Sequence, residues 1–231
     1  MNWYGTQEHI DSLSDYDCRL FSKCTFDAPT GEYALDDGYE VKYCDLVDDA
    51  PCDPFHKPDS AMLCRLYRNG KLIFEWRYIG TGGYGRLARV IHHSNGKAYL
   101  IFFEHLYGYS VLDLSDMKSV HYIPQESACC DTEHFEETFI WCIPHYDPES
   151  DLLAVEGCIW AAPYSIIILD FSDPLKIVEA NKWLDLGGTI GEDAYGEIYD
   201  EFKAWEPDAL VCTNGTISKE EIHRMMQSVV C

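Results

Sequence analysis

The chain has 231 residues, of which 47% are hydrophobic and 14% aromatic, enough to bury a core in one large domain or two small ones. Its 40 acidic and 17 basic side chains give a formal charge of −23, which argues against nonspecific binding to nucleic acid or an anionic membrane and fits a basic partner or simply a need for solubility. No stretch approaches the roughly 18 to 20 apolar residues of a membrane span.

Residues 1–30 read as a polar, irregular segment ending in the turn Pro29-Thr30-Gly31, with no apolar run that could serve as a secretory signal. Residues 33–46 predict a hairpin around Asp36-Asp37-Gly38, because Asp-Gly supplies the positive φ angles of a tight turn. The next stretch, with Pro51, Pro54 and Pro58, is a loop. Residues 61–67 and 71–79 flank Asn69-Gly70, and residues 86–93 and 97–103 flank Asn95-Gly96. Two such hairpins in succession predict an antiparallel meander.

The segment from Tyr109 to Asp116, YSVLDLSD, returns from Tyr164 to Asp173 as YSIIILDFSD. A turn signal and an apolar run precede both copies: Ser94-Asn95-Gly96-Lys97 before residues 98–103, and Asp147-Pro148-Glu149-Ser150 before residues 152–155. The expected unit is strand, bend, strand, Asp-rich turn, and self-similarity at about 40 to 50 residues points to stacked β units such as propeller blades.

Residues 119–123 form one more short strand, followed by an acidic loop to Glu137. Residues 138–143 open the second copy, which Asp173-Pro174 closes. Residues 181–208 read as a long Gly-rich acidic loop with one short helix, and residues 209–213 as a last strand. Beyond it, Ser218 and Glu221 form a capping box, and Ile222, Met225, Met226 and Val229 give a carboxyl-terminal helix its apolar face. The resulting reading is one mainly β domain: an irregular segment over 1–30, antiparallel repeated meander units over 31–215 that are β-propeller-like, with a β-sandwich as the alternative, and a short helix within 216–231.

The motifs that carry chemistry are few. Gly80-Thr81-Gly82-Gly83-Tyr84-Gly85 matches G-x-G-x-x-G but lacks room for the helix that would face a phosphate, so no cofactor is expected. A single Cys142-x-x-His145 pair beside Cys129, Cys130, Asp131, Glu133 and His134 falls short of the two-pair pattern of a structural zinc site, and no metal is expected. The 11 cysteines, odd in number, suit reduced thiols in a cytoplasm, with Cys64, Cys142, Cys158 and Cys212 as small buried hydrophobes. Seven basic side chains (Arg65, Arg68, Lys71, Arg77, Arg86, Arg89, Lys97) accompany only Glu75 between residues 65 and 97, either to neutralise acidic neighbours in the same molecule or to receive an anion.

Glu104 and His105 follow the first apolar run, and Glu156 and Cys158 lie at the matching place of the second. They are the candidate catalytic residues of a hydrolase using carboxylate and histidine in a central pocket. The favoured function is instead an acidic binding, inhibitor or immunity-type protein whose partner carries a basic surface. Its contacts would be Asp131, Glu133, Glu136 and Glu137 with Trp160 and Tyr164 from the aromatic loop after the second run.

Overall fold

The computed structural model describes residues 1–19, 21, 28–47, 60–79, 88–128, 137–159, 164–187, 190 and 201–229. The described chain is mainly β, with all strands antiparallel in four sheets. The first contains β1 (Gly31–Ala34), β2 (Tyr39–Val47), β3 (Ser60–Arg68) and β4 (Lys71–Ile79); the second β5 (Arg89–His92), β6 (Ala98–Phe102), β7 (Tyr109–Asp113) and β8 (Lys118–Tyr122). The third contains β9 (Ile140–Asp147), β10 (Leu152–Cys158), β11 (Ser165–Asp170) and β12 (Leu184–Asp185), and the fourth β13 (Phe202–Trp205), β14 (Ala209–Cys212) and β15 (Gly215–Ser218). Within each sheet the order in space is the order in sequence, so each is an up-and-down meander.

The hairpin turns are where their residues place them. Asn69 (φ 51°) and Gly70 (φ 74°) are both left-handed, the geometry that matches strand twist in a two-residue turn. At Asn95-Gly96 only the glycine is left-handed (φ 83°), and the His93 amide donates to the Lys97 carbonyl at 2.9 Å. The two hairpins do not share a meander, however. Beyond β4, the Ile79 amide donates to the Glu104 carbonyl at 2.9 Å and Ile79 bridges to His105, so β5 opens a new sheet.

Burial explains why two runs are apolar without alternation. In β10 and β11, Leu153, Val155, Ile167 and Leu169 pack with the second sheet, while Leu152, Ala154, Ile166 and Ile168 pack with Leu210, Cys212 and Ile217 of the fourth. A sheet covered on both faces has no solvent side on which to place polar residues. The second sheet is covered likewise: Phe102 meets Phe74 and Trp76 of β4 at 5.3 and 5.4 Å, and Tyr109 stacks on Trp141 of β9 at 4.5 Å. The matching segments hold matching places: β6 and β10 are second strands, β7 and β11 third strands. Asp113 and Asp170 end those third strands in the same Asx turn, accepting from the amides of Ser115 (2.8 Å) and Ser172 (3.0 Å).

Further features depart from the sequence reading, beginning with β12 and β13, two strands inside the stretch 181–208 that was expected to be a loop. The amino-terminal segment holds a helix, α1 (Gln7–Arg19), started by Thr6, whose hydroxyl accepts from the His9 amide at 3.2 Å. It lacks a broad apolar stripe and is anchored instead by His9, buried with its ring 4.9 Å from Trp3. A one-turn helix, α2 (Gln125–Ala128), begins the acidic loop after β8. Finally, β14 is not the last strand, because Gly215–Ser218 turns back on it and only then leads into α3 (Lys219–Val229). The expected cap is present, with the Glu221 amide donating to Ser218 Oγ at 3.1 Å, and Ile222 is fully buried.

Candidate functional site

Glu104 and Glu156 belong to two separate His–Glu pairs, and among the described residues no hydrogen bond or ion pair joins the two. Glu104 Oε2 lies 2.5 Å from His121 Nδ1 and accepts from Ser110 Oγ at 2.6 Å. Glu156 Oε2 lies 2.7 Å from His145 Nε2, and its Oε1 accepts from the Phe202 amide at 2.9 Å. His105 stays beside Trp3 and Tyr107, where burial first and His9 second push it down to about 4. Cys158 packs near Cys142 and Tyr164, and burial raises its thiol, the opposite of what an activated nucleophile needs.

Of the expected contact residues, Asp131, Glu133, Glu136 and Trp160 lie outside the described residues. Glu137 is exposed, and Tyr164 is half-buried with its hydroxyl donating to Cys142 Sγ at 3.1 Å. Cys142 and His145 therefore serve different neighbours. Cys129, Cys130 and His134, like the glycine loop over residues 80–85, also fall outside the described residues, among which no helix is long and apolar enough to cross a membrane.

The basic stretch is mostly spoken for. Arg65 pairs with Glu75 at 2.6 Å, and Lys97 with Asp113 (2.8 Å) and Asp116 (3.0 Å). Arg68 and Arg77 lie over the rings of Tyr39 and Phe21. Arg89 differs: its Nη1 reaches the Pro144 carbonyl at 3.0 Å and His145 Nδ1 at 3.4 Å, and it enters no ion pair with a described carboxylate.

Arg89 lines a pocket of about 500 Å³ with Asp36, His92, His145, Tyr146, Phe202 and Trp205 among its walls. Those residues come from the turn after β1, from β5, β9 and β13, so every sheet contributes its opening strand or the turn that follows it. The pocket is in the size range of small-molecule sites, with aromatic walls and charged groups among them. His145 stacks face to face on Phe202 at 3.7 Å, and Trp205 Nε1 donates to the His145 carbonyl at 3.0 Å. Asp36 lines the same pocket and has no ion pair with Arg89 or with any other described residue.

The second pair sits under the amino-terminal segment. The Tyr4 ring stacks on His121 at 4.1 Å and 5°. Burial and then the Glu104 charge push Tyr4 up to about 12. His9 is held below its ordinary value by burial, opposed by Glu104 and reinforced by His121. His121 escaped the sequence reading; its only signal is Ser119-x-His121 on one strand, where alternation puts both side chains on one face. His145 and Arg89 were visible as a metal-type pair and as part of a basic run, but nothing in the sequence joined them to each other.

No family model matches the chain. A 41-residue stretch, 18% of the chain, is 44% identical to an uncharacterized protein of Acanthamoeba polyphaga mimivirus. The match covers 16% of that viral protein.

Proposed function

We propose that this chain is a binding protein for a small zwitterionic ligand, with Arg89 receiving a carboxylate and Asp36 an ammonium group. The observation that carries it is the pair itself: opposite charges line one aromatic pocket, and neither is neutralised by a described side chain. Unpaired guanidinium groups favour planar carboxylates, which they grip through two donors. The rings of Phe202, Trp205 and Tyr146 offer an apolar wall for the body of the ligand. The four meanders, each with its opening strand or the turn after it at this pocket, support a propeller-like arrangement around it, as the repeated segments suggested.

Calorimetric titration with L-phenylalanine, N-acetyl-L-phenylalanine and L-phenylalaninamide tests the reading. The free amino acid should bind at least about tenfold more tightly than either blocked form, a difference of about 1.4 kcal/mol. In Arg89→Met the acid and the amide should bind alike. Equal affinity of all three for the unaltered protein, or no binding by any, overturns the assignment.

The charge of −23 supports a second reading, an acidic inhibitor or immunity-type factor for a protein with a basic surface. Because Arg65 and Lys97 are paired internally, little positive potential from this stretch opposes such a partner. Replacing Asp131, Glu133, Glu136 and Glu137 by their amides should slow association and flatten its salt dependence. Association that ignores both salt and these replacements leaves the charge as a solubility feature.

A further inference from the structure

The second His–Glu pair extends to a third residue. Ser119 Oγ lies 2.8 Å from His121 Nε2, while His121 Nδ1 faces Glu104 Oε2 at 2.5 Å. Donor accounting orders the protons of a neutral ring, and Ser110 Oγ also lies 3.1 Å from His121 Nδ1. Glu104 Oε2 already accepts from the Ser110 hydroxyl, the behaviour of a carboxylate, so His121 Nδ1 donates to it. With the ring neutral, Nε2 then carries the lone pair and the Ser119 hydroxyl donates to it. A hydroxyl, a neutral imidazole and a carboxylate thus stand in line, the nucleophile, base and orienting group of acyl-transfer enzymes.

The surroundings hold this order in place. Tyr4 covers one face of the imidazole and Phe102 meets its edge at 5.8 Å. His121 and Glu104 keep only 14% and 15% of their side-chain surface exposed, so the ring cannot swing freely and water competes little for the Glu104 bond. Ser119 is half-buried on β8, the edge strand of the second sheet, where no further strand among the described residues pairs with it. A cavity of about 250 Å³ adjoins Glu104 on the Nδ1 side of the ring, lined also by His9, Leu13, Glu75, Trp76 and Arg77, and Ser119 and His121 are not in its wall.

We propose that Ser119 is an activated nucleophile, with His121 as its general base and Glu104 as a positioning residue, in a site that hydrolyses carboxylic esters. Ser119 Oγ bonds to the ester carbonyl carbon as its proton passes to His121 Nε2. The carbon–oxygen bond to the alcohol breaks, and His121 returns the proton to the departing alkoxide. Water then attacks the acyl-serine, giving its proton to His121, and the Ser119 oxygen leaves with that proton. The net change is ester plus water to acid plus alcohol.

The test uses the whole chain with a fluorophosphonate probe and with p-nitrophenyl acetate. The probe should form one covalent adduct, which peptide mass spectrometry places on Ser119. Hydrolysis of p-nitrophenyl acetate should fall by at least about 100-fold in Ser119→Ala and in His121→Gln, the scale of a lost nucleophile or base. Glu104→Gln should slow labelling, and Glu104→Asp should restore part of the rate, which a purely structural carboxylate would not do. The adduct site in the unaltered protein decides the matter even if a variant fails to fold: no adduct, or one on another residue, overturns the proposal.

Discussion

His145 Nε2 and Glu156 Oε2 lie 2.7 Å apart on neighbouring strands whose register sets Ala154, not Glu156, opposite His145. The pair is diagonal, and its partners fix its protons. An arginine only donates, so the contact from Arg89 Nη1 makes His145 Nδ1 an acceptor and leaves Nε2–H to donate to Glu156. The other carboxylate oxygen takes the Phe202 amide, tying the third sheet to the fourth.

Glu156→Gln breaks that arrangement. Both carboxylate oxygens face donors, and an amide presents one oxygen and one NH₂, so one donor is left opposed or His145 must change tautomer and lose the Arg89 contact. The expected cost is about 1 to 3 kcal/mol, the penalty of a buried polar group left without a partner. Urea unfolding measures it; an unchanged midpoint would show that the pair adds nothing to the sheet contact.

Lys219 and Asp147 should prove strongly coupled. Lys219 Nζ lies 2.6 Å from Asp147 Oδ2, both residues are buried, and the pair joins the first residue of α3 to the end of β9. Burial pushes the Asp147 carboxyl up, but Lys219, Ser150 and the Glu149 amide together outweigh it and hold it below its ordinary value. Its contribution to stability is therefore complete above the ordinary carboxylate range near pH 4 and is lost as pH falls toward the lowered value. Lys219→Met should cost about 3 kcal/mol by stranding the carboxylate, and Asp147→Asn should flatten the acid limb of a stability–pH curve.

His105 acts in a different window. Its folded value near 4 lies below the 6.5 of an unperturbed imidazole, so the unfolded chain takes up a proton before the native one does. Stability contributed by the neutral ring is complete above pH 6.5 and declines as pH falls to about 4. In His105→Gln, thermal unfolding between these limits should depend less on pH than in the unaltered protein.

Two glycines should respond to alanine in different ways. At Gly157, where the β9–β10 register shifts, a Cβ would lie 2.0 Å from the Ile140 carbonyl oxygen and 2.5 Å from the Phe139 ring. Backbone cannot yield cheaply there, and Gly157→Ala should cost about 1 to 3 kcal/mol or more. At Gly70 a Cβ meets nothing within 4 Å, so only the left-handed φ of 74° is strained, and about 1 kcal/mol is expected. Equal denaturation midpoints for the two variants would contradict the clash at Gly157.

Local chemistry made much of the fold legible. Asn69-Gly70 marked its turn because left-handed backbone favours those residues, and Ser218 with Glu221 marked the start of α3 because a helix end needs acceptors for its free amides. The paired Asp113 and Asp170 turns were readable because an Asx turn is closed by residues two apart. α1 was not, since its support comes from one buried histidine and from Trp3 rather than from an apolar stripe of its own.

The sites divide in the same way. Their candidate residue types were visible one by one: Glu104 and Glu156 at matching places of the repeat, Arg89 in a basic run, His145 three residues after a cysteine. Glu156 meets His145 through strand pairing across 11 residues, Glu104 reaches His121 from the bend after β6 across the intervening β7, 17 residues away, and what brings Asp36, Arg89 and Phe202 to one pocket is the packing of separate sheets. The sequence by itself determined turns, caps and burial, because these depend on neighbours a few residues apart. Which carboxylate meets which imidazole depends on register and sheet contact, long-range geometry that only the tertiary structure decides.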